Sequence, residues 1–245
     1  NESYYDATNG GGTQYLAGAA ITIQGVTTLY IYDATGTSPN CFDEETFTVT
    51  INLTADVVPL GNQVACDTYT LPAITGTNLT GNESYYDATN GGGTQYLAGA
   101  AITTPGVTTL YIYDATGTSP NCFDEETFTV TINTTPVYTL TPTDPSVCNG
   151  TDGSILISGL TAVVTYDVTY DDGITAPVTL PAEIANGSGE ITIGSLGAGN
   201  YTITVMPTGT SCAGLAVITS LVNPGAPVID PYTPQVVCDS YVIPA

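Results

Sequence analysis

The sequence contains no Lys, no Arg, no His and no Trp in 245 residues. Its 23 Asp and Glu residues therefore have no cationic side chain to face, and the formal net charge is −23. Proteins bind nucleic acids by neutralising phosphates with Lys and Arg, so nucleic acid is excluded as a partner. The absence of His and Lys also removes the commonest general base, the Schiff-base nucleophile and most transition-metal ligands. We therefore expect no enzymatic activity.

Long apolar runs are also absent. No stretch of 18 or more apolar residues occurs, and no basic-then-apolar leader opens the chain, so we expect no membrane insertion of this segment and no signal peptide within it. Charged residues make up 9% of the chain and apolar residues 42%, which is not the composition of a disordered acidic tail. The chain is predicted to fold, and its ends in mid-pattern predict an excerpt of a longer protein.

The chain contains an internal repeat. Residues 1–52 recur at 82–133 with only two substitutions, and residues 64–73 return in altered form at 236–245. Self-similarity at a fixed spacing marks an array of modules. We predict the C-terminal part of an immunoglobulin-like (Ig-like) repeat at 1–53, a complete repeat at 54–134, a different Ig-like β-sandwich module at 135–224 and the N-terminal part of a further repeat at 225–245.

Alternation of polar and apolar residues predicts β-strands. Residues 127–132 alternate Thr with apolar side chains, and residues 109–113 alternate in the same way with Tyr outward. A further strand is expected over 64–71, and a turn at 172–173, where Asp precedes Gly. No helical period is present. The predicted fold class is all-β, with tandem immunoglobulin-like antiparallel β-sandwich domains in an extended array.

Two sets of segments carry a resemblance to a known family. Residues 148–155, 196–205 and the later Cys212 resemble the repeat named after the flavobacterial gliding-motility adhesin SprB. The repeated unit, with its YYDAT, LYIY and CFDEETFTVTI segments, is similar to the Ig-like repeats of the same large Bacteroidetes surface proteins. The resemblance identifies 135–224 as a SprB-type repeat. It implies export by the type 9 secretion system and display at the cell surface, outside the outer membrane.

The repeats and the resemblance together predict a structural or adhesive repeat region, a stalk or filament of a secreted bacterial cell-surface adhesin in gliding motility or surface attachment. The expected partners are neighbouring repeats of the same chain, and surface polysaccharide or substratum. One alternative is a carbohydrate- or surface-binding module, because the paired Tyr at 4–5 and 85–86 offer aromatic faces to sugar rings. Another is a strand-exchanged extracellular polymer, in which residues 226–245 complete residues 1–53 of the next chain.

Four of the six cysteines fall at equivalent positions in copies of the repeat. Cys41 and Cys122 are one position in two copies, as are Cys66 and Cys238. No CxxC pair and no His accompany them, so structural disulfides are favoured over zinc or redox chemistry. We predict bonds Cys66–Cys122 and Cys148–Cys212, with Cys41 and Cys238 pairing outside this chain.

An acidic cluster at Asp124, Glu125 and Glu126 is the candidate metal site. Hard cations take carboxylate oxygens, so calcium could bind near these residues. The alternative is a solvated strand edge whose charges deter association between edges. We predict no catalytic residue and no other cofactor.

Overall fold

The computed structural model describes residues 2–225, 227, 229 and 233–243. All regular elements of these residues are β-strands, so none of the described residues forms a helix able to cross a membrane. The chain divides into two compact units, Asn1–Asn133 and Thr134–Ala245. The first unit contains both copies of the repeat. The predicted fold class of tandem Ig-like antiparallel sandwiches is confirmed, whereas the finer module boundaries within each unit remain predictions.

The first copy of the repeat forms a single four-stranded antiparallel sheet in the order β2-β1-β3-β4. Its two long strands pair over ten residues, from Gly25 opposite Ile51 to Ala34 opposite Phe42. The strands are β1 (Ser3–Ala7), β2 (Gly11–Tyr15), β3 (Gly25–Ala34) and β4 (Phe42–Ile51).

The second copy is larger, because residues 54–81 precede it and contribute four more strands. Its main sheet has the order β10-β9-β12-β13-β6, and two short sheets, β11-β7 and β5-β8, complete the module. The strands are β5 (Asp56–Val57), β6 (Gln63–Cys66), β7 (Tyr69–Thr70), β8 (Gly76–Thr77), β9 (Ser84–Ala88), β10 (Gly92–Tyr96), β11 (Ala101–Ile102), β12 (Gly106–Ala115) and β13 (Phe123–Asn133).

The alternating pattern of β12 and β13 determines which face of the main sheet is covered. Leu110 of β12 lies opposite Phe128 of β13, and both side chains are buried. The next residue on the same face of β12, Ile112, is also buried, whereas Tyr111 and Tyr113, on either side of Ile112, are half-buried on the outer face. A period of two therefore places the core on one face and Tyr and Thr on the other.

The β9–β10 hairpin depends on residues that tolerate a left-handed backbone. Asn90 and Gly91 have φ values of 57° and 65°, and Gly93 has a φ of 74°. A Cβ on Gly93 would lie 1.9 Å from Asp87 Oδ1, so only glycine fits there. The same Asp87 oxygen accepts a hydrogen bond from the Thr94 amide at 2.6 Å, and this bond lowers the pKa of Asp87 below its ordinary value of 3.8.

The strand expected over 64–71 is broken in two. Asp67 has a left-handed φ of 60°, and the chain changes direction there between β6 and β7. β6 pairs parallel with β13, the one parallel pair among the described strands, while β7 pairs with β11. Leu71, just after β7, is consequently buried in the core of the second copy.

Residues 54–81 determine how deeply the apolar side chains of a copy are buried. In the second copy Phe128 is 2% exposed, packed in a core that includes Val57 and Leu71 from this segment. The equivalent Phe47 of the first copy is 38% exposed, and residues 1–46 contain no counterpart of the 54–81 segment. Identical residues therefore have different burial because different chain covers them.

The second unit packs two antiparallel sheets, β14-β15-β18 and β17-β16-β19-β20, around one core. Ile155, Val168 and Ile203 are fully buried. The hydroxyl of Tyr138 donates to the carbonyls of Ile203 and Leu215, both at 2.8 Å. The strands are β14 (Thr139–Thr143), β15 (Gly153–Ser158), β16 (Thr165–Asp171), β17 (Val178–Ile184), β18 (Ile191–Leu196), β19 (Gly199–Pro207) and β20 (Val217–Leu221).

Two sequence predictions concern the rest of this unit. The turn at 172–173 is present, with Gly173 at a φ of 70° and Asp172 Oδ1 accepting from the Thr175 amide at 2.7 Å. The predicted further repeat at 225–245 lies partly outside the described residues, and those of its residues that are described form no strand.

Candidate functional site

The two cysteines of the second repeat lie at opposite ends of β13. Cys66 lies opposite Asn133, the last residue of that strand, whereas Cys122 precedes Phe123, the first. At about 3.3 Å per residue, the strand separates them by roughly 35 Å. A disulfide joins Cα atoms at most about 7 Å apart. The structure therefore contradicts the predicted Cys66–Cys122 bond: Cys66 is disulfide-bonded, but Cys122 is a free thiol.

The two cysteines of the second unit are separated in the same way. Cys148 Sγ donates to the carbonyl of Pro224 at 3.3 Å, just beyond the end of β20 where Leu221 pairs with Gly199. Cys212 follows the other end of β19, which is about 26 Å away along that strand. The predicted Cys148–Cys212 bond is thus also contradicted, since Cys212 is disulfide-bonded and Cys148 is free.

Cys41 and Cys238 are exposed free thiols in the structure. Their pairing with cysteines outside this chain stays a prediction. Disulfides form and persist in oxidising environments, so the bonded state of Cys66 and Cys212 is typical of a secreted protein.

The acidic cluster is engaged in hydrogen bonds to the backbone. Asp124 Oδ2 accepts from the Val57 amide at 2.7 Å, and Glu125 accepts from the Asn90 amide. These carboxylates therefore hold the 54–81 segment and the β9–β10 turn against β13. Among the described residues no group of three or more His, Cys, Asp or Glu side chains is arranged to hold a metal ion. The calcium hypothesis gains no support from this geometry.

A buried carboxylate that the sequence pattern did not single out performs a similar task. Asp114, at the end of the alternating run of β12, is fully buried. It accepts from the Thr80 amide at 2.8 Å and from the Thr80 hydroxyl. The side chain therefore fixes the end of the 54–81 segment on the second repeat. One signal of this burial is present in the sequence. Asp114 follows Leu110 and Ile112 at every second position, so it lies on the core-facing side of β12.

The loop at 116–122 contacts the end of the first repeat. The amide of Asn52 donates from Nδ2 to Thr118 Oγ1 at 2.8 Å and to the Pro120 carbonyl at 3.3 Å. Cys122 Sγ donates to the Asn52 carbonyl at 3.7 Å. Asn52 therefore anchors the first repeat to this loop. No sequence signal identified it, because an Asn at a strand end is common and its partners lie more than 60 residues away.

The predicted tyrosine surface divides between core and exterior. Tyr85 is buried edge-on against Phe128, its hydroxyl donates to the Pro72 carbonyl at 3.0 Å, and burial raises its pKa above the ordinary 10.0. On the outer face Tyr86 and Tyr113 meet edge-on with ring centroids 6.0 Å apart, and Tyr113 lies 5.6 Å from Phe123. We name the outer residues Tyr86, Tyr111, Tyr113 and Phe123 the aromatic patch.

The aromatic patch occurs on both copies of the repeat. In the first copy Tyr5 meets Tyr32 edge-on at 6.0 Å, and Tyr32 lies 5.6 Å from Phe42. Phe123 of the second copy is 46% exposed. Each repeat thus presents one partly solvent-exposed aromatic cluster, of the kind on which the apolar face of a sugar ring can stack.

No family model and no curated protein matches the chain. Among solved structures, the FN1–FN3 domains of chicken CNTN1 align with 81% of this chain and 76% of their own, at 11% identity and a TM-score of 0.32. Mouse cadherin-23 EC22–24 aligns with 91% and 86%, at 11% identity and a TM-score of 0.28. Extracellular cadherin domains 3–6 of protocadherin gamma B2 align with 82% and 60%, at 13% identity and a TM-score of 0.26. These TM-scores are too low to support an inference about this chain.

Proposed function

We propose that this chain is a structural and adhesive repeat region, part of the stalk or filament of a secreted bacterial cell-surface adhesin that acts in gliding motility or surface attachment. The observation that carries the proposal is the repetition of one module. The β3–β4 and β12–β13 pairs have the same register over ten residue pairs at a spacing of 81 residues. Repeated modules supply length and multiple display of one surface, which a catalyst does not need.

The surface chemistry supports an extracellular, non-catalytic role. The chain has 23 acidic side chains and no cationic one, so its surface repels other copies and anionic polymers. The acidic cluster binds backbone amides of its own repeat, and the bonded cysteines suit an oxidising compartment. Display outside the outer membrane and export by the type 9 secretion system belong to this proposal, and the resemblance of the repeats supports them.

Antibodies raised against the whole chain test this proposal. We expect them to label intact cells of the bacterium that encodes the chain, and we expect a mutant lacking type 9 secretion to lose the label. Protease treatment of intact cells should remove it. Labelling that appears only after the cells are lysed would contradict the proposal, since a stalk must be outside the cell.

A second candidate function, binding of carbohydrate or substratum by the modules themselves, is favoured by the aromatic patch. Its rings are held by ring–ring contacts on the outer face, and the same patch recurs on each repeat. Weak sites repeated along one chain gain affinity through multivalency. In this function the repeats themselves make the adhesive contact, whereas in the first they mainly supply length and display.

Glycan-array binding by the whole chain separates the two functions. The test variant replaces Tyr86 and Tyr5 by Ala, and the control replaces the outward Thr127 and Thr46 by Ala. Binding that the tyrosine variant loses and the threonine variant keeps would assign adhesion to the patch. A spacer is expected to bind no glycan in either form.

A third candidate, strand exchange between chains, is favoured by the open core of the first copy. Phe47 is 38% exposed there, whereas residues 54–81 cover the equivalent Phe128 of the second copy, which is 2% exposed. The native mass in solution tests it. An assembly whose size grows with chain concentration supports exchange, and a monomer of 25.1 kDa at all concentrations excludes it.

A further inference from the structure

The complete Ig-like repeat has one cysteine at each of its poles. We call the end where the chain enters a module its N-terminal pole and the end where it leaves its C-terminal pole. Cys66 lies at the C-terminal pole, opposite the last residue of β13, and Cys122 lies at the N-terminal pole. Because the strand keeps them roughly 35 Å apart, the two cysteines cannot bond to each other within the repeat.

The cysteine at the C-terminal pole is disulfide-bonded. Cys66 pairs with Asn133 in the parallel β6–β13 ladder, and the next amide, that of Asp67, donates to the Asn133 carbonyl at 2.9 Å. Cys66 is disulfide-bonded, and the other cysteine of its repeat, Cys122, is not. A cysteine beside the final carbonyl of this repeat is thus a position at which a disulfide forms.

The N-terminal pole presents a thiol held in place by its loop. Thr116 Oγ1 accepts from the Cys122 amide at 3.1 Å, and the Thr116 amide donates to the Cys122 carbonyl at 2.9 Å. Asn121 Oδ1 accepts from the Gly117 amide at 2.9 Å and closes the loop. The half-buried Cys122 Sγ points to the Asn52 carbonyl at 3.7 Å.

The cysteines of both poles lie beside the carbonyl of the last residue of a repeat. Asn52 is the residue of the first copy that corresponds to Asn133 of the second. In a complete first copy, the cysteine corresponding to Cys66 pairs with Asn52, at the strand spacing of about 5 Å. Cys122 reaches the Asn52 carbonyl from the following module. Both thiols then lie beside one carbonyl, within the span that a disulfide bridges.

We propose that consecutive Ig-like repeats are joined by a disulfide between Cys122 and the cysteine that corresponds to Cys66 in the preceding repeat. The two thiols lose two protons and two electrons to a disulfide oxidant of the glutathione type, which is reduced to two thiols. The bond crosses the junction beside Asn52 and gives consecutive modules a second covalent link besides the backbone. This inference rests on the proposed tandem array but not on any adhesive target.

The test uses the full chain lengthened at its N-terminus by a copy of residues 54–81, so that both Ig-like repeats are complete. The lengthened chain is folded in glutathione redox buffer, blocked at its free thiols and digested with a protease that cleaves after Glu. The fragments 3–44 and 84–125 differ in mass, because residues 23–24 and 104–105 differ, so Cys41 and Cys122 are distinguished. We expect the extension's cysteine to be linked to fragment 84–125.

Two variants provide the controls. In C122S the extension's cysteine should become fully reactive with thiol reagents, while in C41S, the same substitution in an identical local sequence, the cross-link should remain. A bond to Cys41, which would lie within the first repeat, or a free extension cysteine in the folded chain would overturn the proposal. Folding is checked by the burial of Phe47, replaced by Trp as a fluorescent probe. Failure of cell-surface labelling would overturn the proposed function and leave this result unchanged.

Discussion

At the scale of single residues, carboxylates in this protein act as hydrogen-bond acceptors for its own backbone. With no cationic side chain in the sequence, the acceptor capacity of a buried carboxylate falls to amides and hydroxyls. Asp114 accepts twice from Thr80, and Asp124 accepts from Val57. These three bonds attach the 54–81 segment to the β12–β13 hairpin, so the two carboxylates help to close the module.

Replacing the buried Asp114 by Ala is expected to destabilise the second repeat by about 2 kcal/mol, because the amide and hydroxyl of the half-buried Thr80 lose a charged acceptor. The measurement is urea unfolding of the chain followed by circular dichroism. The comparison variant is Thr80→Val, which removes the hydroxyl donor and keeps the amide donor, and we expect it to cost less than Asp114→Ala. A larger loss for Thr80→Val than for Asp114→Ala would show that the carboxylate contributes nothing beyond the Thr80 side chain.

At the scale of elements, the same strand sequences reach two levels of burial in one molecule. Residues 42–52, which include β4, are identical to residues 123–133, which form β13. Phe47 is nevertheless half-exposed, whereas the equivalent Phe128 is buried. The difference comes from β5 to β8 and the loops between them. The strand pattern therefore specifies which face of the sheet is apolar. The covering segment determines how much burial of that face contributes to the free energy of folding.

Phe128→Ala is expected to cost about 3 to 5 kcal/mol, since it empties a fully packed site. Phe47→Ala should cost less than half of that, because its ring is already 38% exposed. Scanning calorimetry of the two variants beside the parent chain measures the difference. A larger loss for Phe47 than for Phe128 would mean that the first copy is covered in solution, as strand exchange requires.

Three strands of the second unit were not expected from the sequence, namely β14, β17 and β20. β14 contains Pro142 and β17 contains Pro181, and proline lacks the amide that a central strand needs. Each of the three lies at the edge of its sheet, where one row of amides faces away from any neighbour. Proline is tolerated at such an edge, which is why β14 and β17 are strands in spite of it.

At the scale of the whole molecule, electrostatics is repulsive throughout. A net charge of −23 with no Lys, Arg or His leaves no ion pair between side chains that salt could weaken. Screening therefore acts in one direction and lowers the self-repulsion of the folded state.

Raising NaCl from about 10 mM to about 500 mM, which shortens the Debye length from about 30 Å to about 4 Å, is expected to raise the melting temperature by several degrees. Thermal unfolding followed by circular dichroism measures the shift. CaCl₂ at the same ionic strength is the control, and a further rise specific to calcium would revive the calcium hypothesis. A melting temperature that falls in NaCl would contradict the repulsion argument.

The sequence by itself determined the strand content and the repetition, because period-two alternation and near-identity over 52 residues are properties of order along the chain. The aromatic patch was half foreseen, since alternation placed Tyr111 and Tyr113 outward but did not separate Tyr85 from Tyr86. Pairing of cysteines could not be foreseen in this way. Equivalent positions in a repeat say which cysteines share a role, and they do not say which ones meet.

Only the tertiary structure decided which cysteines lie close to one another. The parallel pairing of β6 with β13 places Cys66 beside Asn133, and the length of β13 removes Cys122 to the other pole. Register between strands distant in sequence depends on how the 54–81 segment crosses the core, which no local pattern encodes. For the same reason identical residues are buried in one copy and exposed in the other: burial is a property of what covers a residue, not of the residue itself.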